Sequence, residues 1–286
     1  MAATRTRIVL LGTGTPRTEV GRAGTSTAVV VDNRPYIFDF GPGVGLRLSE
    51  GHHNGIAGLA MSDVTKAFLT HMHSDHTLGL GELMLTPWMF GRVEPLEIYG
   101  PRGTAAMARA VATAYSSDVA KRTLNEPHTG RGHETNGRDV VPGIIYTDDL
   151  VEIEAFEVQH GEWDTAIHGP FPALGYRITT PDRIVVISGD TGPFPEMATR
   201  YSGCDVLVHE VYSSAGLSSR PREWQAYHAI SHTSASHVGR VANDATPGVL
   251  VLNHQLLWHA TKDDLIAEVA AACSGPLVYG RDLAVV

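Results

Sequence analysis

Three imidazoles and a carboxylate fall within six consecutive positions, His71-Met72-His73-Ser74-Asp75-His76. Neutral imidazole nitrogen and carboxylate oxygen are ligands for zinc, and equally for manganese, iron and cobalt. In extended chain, alternate side chains project to the same side, so His71 and His73 can hold one ion together. A turn after them lets Asp75 and His76 face a second ion. The apolar run Ala67-Phe68-Leu69 precedes the cluster and reads as a strand that ends in a ligand-bearing loop. The competing reading is a solvated histidine-rich loop, which needs neither a strand before it nor a helix after it.

Other groups suited to metal or proton chemistry also sit where strands are expected to end. Val151–Val158 reads as a strand delivering His160, paired with Gly143–Asp148. Leu174–Thr180 and Arg183–Ser188 read as a hairpin across Pro181-Asp182, and its second strand delivers Gly189-Asp190-Thr191. Val206–His209 is a strand running into Glu210, and Val249–Leu252 one that ends at Asn253-His254.

The remaining elements alternate in the same way. Ile8–Leu11 is a short buried strand. The glycine-rich loop Gly12–Pro16 follows; it lacks the Gly-Lys-Ser/Thr ending of a phosphate-cradling loop. Ser26–Asp32 and Tyr36–Phe40 form a hairpin across Asn33-Arg34-Pro35, and Gly41–Gly45 opens a helix to about Glu50. Gly51–Gly58 reads as loop, and Ser62-Asp63 caps a short turn. A helix over Leu78–Phe90 is weakened by Gly79, Gly81 and Pro87, with Trp88, Met89 and Phe90 expected in the core. Leu96–Tyr99 is a strand, Thr104–Asn125 one long helix, and Glu126–Asp139 a mobile loop with solvated His128 and His133. Short helices are expected at Phe194–Tyr201 and Ser234–Ala242. Thr261–Ala272 is an amphipathic helix, capped by Thr261 and with Asp263 and Asp264 at the positive end of its dipole. Leu277–Tyr279 and Leu283–Val286 read as closing strands. No repeat, linker or low-complexity stretch marks a second domain, so 1–286 reads as a single α/β domain of two sheets with helices outside.

Composition narrows the function classes. A formal charge of −9 argues against a large nucleic-acid surface. No stretch approaches the roughly 18–20 apolar residues of a membrane span, and Ile8–Leu11 is too short for a signal-peptide core. Cys204 and Cys273 form no motif, and two buried thiols are the reading that suits a reducing compartment. A cytoplasmic protein without membrane contact is the expectation.

The pattern His71-x-His73-x-Asp75-His76, followed in order by His160, Asp190 in Ser-Gly-Asp190-Thr and His254 in Leu-Asn-His254, resembles the metallo-β-lactamase superfamily. The likeness runs from Leu10-Leu-Gly-Thr-Gly14 to the last strands. It implies an αββα sandwich with a two-metal site, the ions being zinc, or manganese, iron or cobalt. It further implies that His71, His73 and His160 hold one ion and Asp75, His76 and His254 the other, with Asp190 bridging.

Within that superfamily the chain is most similar to the ribonuclease Z and arylsulfatase branch. Leu-Gly-Thr-Gly-Thr-Pro16, His209-Glu210 after a strand, and Ser231-His232-Thr233-Ser234 before a helix carry this likeness. It implies His232 as a catalytic histidine and Glu210 as its orienting partner; the alternative makes His232 a neighbour of a helix cap at Thr233 or Ser234. His228 and His237 lack motif company and read as surface or supporting residues. The chemistry implied is hydrolysis of a phosphodiester or sulfate (aryl) ester by a hydroxide bridging two ions, with Asp75 orienting the nucleophile and His232 serving the leaving group. Ribonuclease Z enzymes of bacteria carry, between the third histidine ligand and the bridging aspartate, a long flexible arm, rich in glycine and proline, that grips tRNA. Here only Gly161–Pro172 and one hairpin fit between His160 and Asp190. The expectation is therefore a small-molecule ester, with tRNA 3′-end processing as the alternative and a non-hydrolytic metal-holding protein as a third reading. Trp163, Phe171 and Trp258 are candidates for an apolar wall around an aryl group, or plain packing. Dimers are common in this branch, and helices around Ser49 to Leu80 offer a surface for a homodimer.

Overall fold

The computed structural model describes residues 5–127, 130–161 and 172–286. By its contacts the chain forms two units, Met1–Val140 with Asp282–Val286, and Val141–Arg281. Each holds one sheet, and both sheets follow the same plan: an antiparallel meander first, then parallel strands joined by helices. The mixed α/β class with two sheets agrees with the sequence expectation.

The first unit contains a sheet of six strands in sequential order. They are β1 (Thr6–Gly12), β2 (Ser26–Val31), β3 (Arg34–Phe38), β4 (Lys66–Phe68), β5 (Leu96–Gly100) and β6 (Thr135–Asp139). β1 to β3 pair antiparallel and β3 to β6 parallel. Parallel neighbours need crossovers, which helices supply at Val44–His53, Leu80–Met89, Thr104–Ala114 and Ser116–Asn125. Alternate strand residues Val9 and Leu11, Ala28 and Val30, and Ile37 and Ala67 meet Val44, Leu48, Leu80, Leu83 and Met84 in one core cluster. Each buried Val, Leu, Ile or Met side chain among them contributes about 1.5–3 kcal/mol. On the opposite sheet face Phe38 stacks on Phe68 at 5.0 Å, and Phe68 on Tyr99 at 5.3 Å.

Residues 282–286 return to this unit. Ile8 N–H donates to Val286 O and Leu10 N–H to Ala284 O, both at 3.0 Å, alongside an isolated bridge between Val9 and Val285. The buried Asp282 carboxylate accepts from Thr13 N (3.0 Å), Ala23 N (2.7 Å) and Arg47 Nε (3.0 Å).

The second unit contains seven strands in the order β13-β12-β11-β10-β9-β8-β7. They are β7 (Gly143–Thr147), β8 (Glu152–Val158), β9 (Ala173–Thr179), β10 (Ile184–Ile187), β11 (Val206–Tyr212), β12 (Val249–Leu256) and β13 (Leu277–Tyr279). β7 to β10 are antiparallel, and β10 to β13 parallel. Helices Ala235–Ala245 and Lys262–Ala270 cover Leu207, Leu250 and Leu252 with Ala235, Val238, Ala242, Leu265 and Val269. They approach closely at Gly239, where a Cβ would lie 2.6 Å from Val269 O. Thr261 caps the second helix in a capping box with Asp264, as its position predicts.

Several expected boundaries are corrected. The β2–β3 turn is Asp32-Asn33, both left-handed (φ 47° and 67°), with Pro35 inside β3 opposite Val30. Asp and Asn tolerate that conformation, which a two-residue hairpin turn requires. The helix after Gly43 continues to His53, through part of the expected loop. The helix weakened by Gly81 and Pro87 nevertheless runs unbroken over Leu80–Met89, and a separate short helix, Ser74–Thr77, precedes it; Trp88 is core, whereas Phe90 is exposed. Thr104–Asn125 is two helices that meet at Tyr115. Glu126–Asp139 is not all loop, since it contains β6, a polar edge strand whose Asn136 and Arg138 donate to Glu97. His133 is half-buried, with its ring 5.3 Å from Trp88. Helices Ser214–Ser218 and Arg222–Ser231 were not anticipated. Trp163, Phe171 and His128 lie outside the described residues. Among the described residues no helix is long and apolar enough to cross a membrane.

Candidate metal centre

In open α/β sheets, functional groups gather at the carboxyl ends of the parallel strands. The first unit follows that rule. β4 runs through Phe68 into Leu69, whose N–H still pairs with Tyr99 O at 2.8 Å, and then releases Thr70 and His71. His73 precedes the short helix Ser74–Thr77, which carries Asp75 and His76. The turn has to pass very near Gly41: a Cβ there would lie 2.3 Å from Asp75 O, so only glycine admits it. His71, Asp75 and His76 are buried and His73 is half-buried.

A residue that sequence reasoning missed organises this set. Asp39 follows β3 in the left-handed region (φ 58°) and is buried. Its carboxylate accepts from Thr70 N at 2.7 Å, Thr70 Oγ1 at 2.9 Å and His76 Nδ1 at 2.7 Å. The single Thr70 hydroxyl proton is thereby committed to Asp39. Thr70 Oγ1 must then accept from His71 Nδ1, 3.0 Å away. Asp39 therefore fixes both tautomers: Nδ1 carries the proton in His71 and His76, and Nε2 carries the lone pair. His76 Nε2 lies 3.6 Å from Asp75 Oδ2, and His71 Nε2 lies 3.0 Å from His73 Nδ1. Two imidazole nitrogens sharing one tetrahedral zinc would be roughly 3.3 Å apart. The donor set fits a divalent cation. The signal available in the sequence was an aspartate between an apolar strand and Gly41-Pro-Gly43, which any turn could also show.

The second unit assembles its own set. His160, after β8, has Nδ1 2.7 Å from the Ser231 carbonyl, which can only accept, so Nε2 again keeps the lone pair. Asp190 follows β10, and its Oδ2 lies 3.5 Å from His254 Nε2 and 3.9 Å from His232 Nδ1. The ligand atoms of His160, Asp190 and His232 fall within 4.8 Å of one another, as do those of Glu210, His232 and His254. His254 sits within β12 at φ 44°, a conformation that costs on the order of 1 kcal/mol or more and clusters at functional sites.

Glu210 lies within β11 and is buried. Its Oε1 accepts from Thr233 N at 2.5 Å and its Oε2 lies 3.3 Å from His232 Nδ1. Thr233 Oγ1 in turn donates to Thr191 O at 2.6 Å. These bonds hold the Thr233 segment against both the Glu210 and Asp190 strand ends. Burial first, and the Asp190 charge second, hold the Glu210 carboxyl well above the usual carboxylate range.

His228, expected at the surface or in support, is buried, with its ring 5.3 Å from His232 and 4.9 Å from Trp258. Burial pushes its pKa down to about 4. His237 lies instead in the first turn of helix Ala235–Ala245, 3.4 Å from Arg240. Trp258 is half-buried and packs on Tyr212 and His228.

A family model described as β-lactamase superfamily domain matches residues 36–255. A protein named ribonuclease Z from Mycobacterium sp. (strain KMS) is 30% identical over 280 residues, 96% of this chain and 94% of its own length. Among solved structures, the metallo-β-lactamase fold protein YhfI from Bacillus subtilis superposes with TM-score 0.72 at 18% identity, over 98% of each chain. The short form of human tRNase Z superposes with TM-score 0.70 at 18% identity, again over 98% of each.

Proposed function

The chain belongs to the β-lactamase superfamily of metal-dependent hydrolases, and from that premise we propose that it is a dinuclear-metal phosphodiesterase of the ribonuclease Z type, acting on RNA. The observation carrying this reading is the tautomer lock. His71, His76 and His160 each have Nδ1 engaged by a hydrogen bond that leaves Nε2 as the ligand atom. We assign His71, His73, Asp75 and His76 of the first unit, and His160, Asp190 and His254 of the second, as the residues that would hold divalent ions. Zinc suits these donors, and manganese, iron and cobalt are accepted by the same set.

When bound, such ions lower the pKa of water and neutralise charge on phosphoryl oxygens. The chain's own residues do the rest. Asp75 orients the attacking water and takes its proton. His232 gives a proton to the leaving oxygen, and Glu210 holds that imidazole in place from 3.3 Å. Asp39 keeps the ligand nitrogens available. The two free thiols, Cys204 and Cys273, suit a reducing, cytoplasmic setting.

The relatives reverse the preference drawn from sequence, in which an aryl ester came ahead of RNA. An alignment of 280 residues covering 96% of this chain leaves no room for a long extra arm in the mycobacterial protein. The short connection from His160 to Asp190 therefore does not set this chain apart from that relative. The test uses metal-loaded protein, with Asp190→Ala as blank, on a precursor tRNA, an aryl phosphodiester and the matching aryl sulfate. Cleavage of the precursor near its 3′ end, with kcat/KM for the diester well above the sulfate, is expected. A preference for the sulfate would overturn the phosphodiesterase reading and make the protein an arylsulfatase.

A further inference from the structure

We infer that Trp224, Tyr227 and Arg220 form a platform beside His232 on which a nucleobase of single-stranded RNA stacks, with Arg220 meeting its phosphate. This rests on the phosphodiesterase reading and names what would hold the substrate in place.

The platform is built on helix Arg222–Ser231, whose C-cap is His232 itself. Trp224, Tyr227 and His228 lie at i, i+3 and i+4, on one helix face. Trp224 is 46% exposed and Tyr227 39%, unusually open for large aromatic side chains. They are not isolated. Trp224 meets Tyr227 edge-on at 5.9 Å and His228 face-on at 6.0 Å, with 28° between the planes. Tyr227 and His228 then reach the His232 ring at 6.4 and 5.3 Å. Ring contacts thus run unbroken from the surface to the proposed proton donor. Burial favours the uncharged form of His228, so that ring adds no cation behind the exposed pair.

Arg220 supplies the second component. Its guanidinium carbon lies 6.0 Å from the Trp224 ring centroid. Among the described residues its buried Nε makes no hydrogen bond, and no carboxylate pairs with it. Some other arginines of this acidic chain do have such partners, among them Arg5, Arg47, Arg131 and Arg138, while Arg92 and Arg177 donate to carbonyl oxygens. An aromatic face with a spare guanidinium suits a nucleotide, because a base offers a π-face and a phosphate takes the cation. A plain apolar ester would use the rings and leave the charge idle.

The test compares two diesters with the same p-nitrophenolate leaving group, one bearing a nucleoside and one an abasic ribose. The wild-type protein should prefer the nucleoside. Trp224→Ala should bring the ratio of kcat/KM for the two substrates close to one, a loss of roughly 5- to 150-fold for one stacked base. Most of the loss should appear in KM, with metal content unchanged, and Trp224→Phe should restore much of the preference. A variant that keeps the preference, or that loses rate on both substrates alike, overturns the platform. If the wild type cleaves neither diester, the phosphodiesterase reading fails, and anisotropy of a labelled oligoribonucleotide then decides the platform alone. Binding that weakens in Trp224→Ala supports it, and binding that does not overturns it.

Discussion

Asp39→Asn tests how the first unit prepares its imidazoles. The substitution changes almost no volume, yet it replaces one acceptor by a donor. If the amide oxygen keeps the Thr70 N–H, now 2.7 Å from the carboxylate, the new NH2 points at Thr70 Oγ1 and His76 Nδ1. His76 must then present a lone pair at Nδ1, which moves its proton to Nε2. Thr70, no longer donating to residue 39, can donate to His71 Nδ1 and move that proton as well. Both nitrogens proposed as ligands are blocked by one substitution. Loss of a single supporting contact to a metal-bound histidine typically costs about 10- to 100-fold in affinity. With two imidazoles affected, the upper end is expected, about 100-fold or ~2.7 kcal/mol. The assay is competition for zinc against a chromophoric chelator at neutral pH. Thermal unfolding of metal-free protein measures any folding cost separately, about 1–3 kcal/mol for a buried donor left unpaired. Thr70→Val removes only the His71 branch of the relay and should lose about tenfold. Zinc affinity of Asp39→Asn within twofold of wild type would refute the tautomer argument.

Three further outcomes follow from the same geometry. His232→Ala should lower kcat by about 100- to 1,000-fold while metal content, measured by atomic emission, stays at the wild-type level; unchanged turnover would remove His232 from the mechanism. Asp190→Ala should lose bound metal on dialysis, because its Oδ2 stands beside both His254 and His232; a full metal complement would contradict its assignment as a ligand. Asp282→Ala leaves the Thr13 and Ala23 N–H groups and the Arg47 guanidinium without their acceptor, and should cost about 2–4 kcal/mol. That corresponds to a fall in Tm of roughly 5–10 °C by calorimetry, and a Tm within a degree of wild type would show the clamp to be weak.

The residues proposed as ligands could be picked out because spacing and chain order are properties of the sequence itself. His71, His73, Asp75 and His76 are adjacent, and His160, Asp190 and His254 each close an apolar run. Asp39 was not legible, since its role depends on a contact with Thr70 and His76 that only parallel pairing of β3 with β4 creates. β6 was hidden because Thr135-Asn-Gly-Arg-Asp139 carries no apolar alternation; an edge strand can be held by backbone pairing and by contacts such as Arg138 to Glu97. Helix Arg222–Ser231 was missed for a related reason. Trp224, Tyr227 and His228 do fall at helical spacing, but within ten residues after Pro221 that is one short set of matches rather than a sustained stripe.

The return of residues 282–286 to β1 also sets an order of assembly. Translation makes β1 first and its last neighbour only after the whole of 141–281 has been synthesised. Until then the Ile8 and Leu10 N–H groups have no strand to pair with, and Thr13, Ala23 and Arg47 wait for a carboxylate 269 positions downstream of Thr13. Contacts that distant in sequence are slow to form, so the nascent chain carries an open sheet edge late into its synthesis. A chaperone that shields β1 during that interval, or a fusion that displaces Val286 from it, would act on yield long before either touched the ligand-bearing loops.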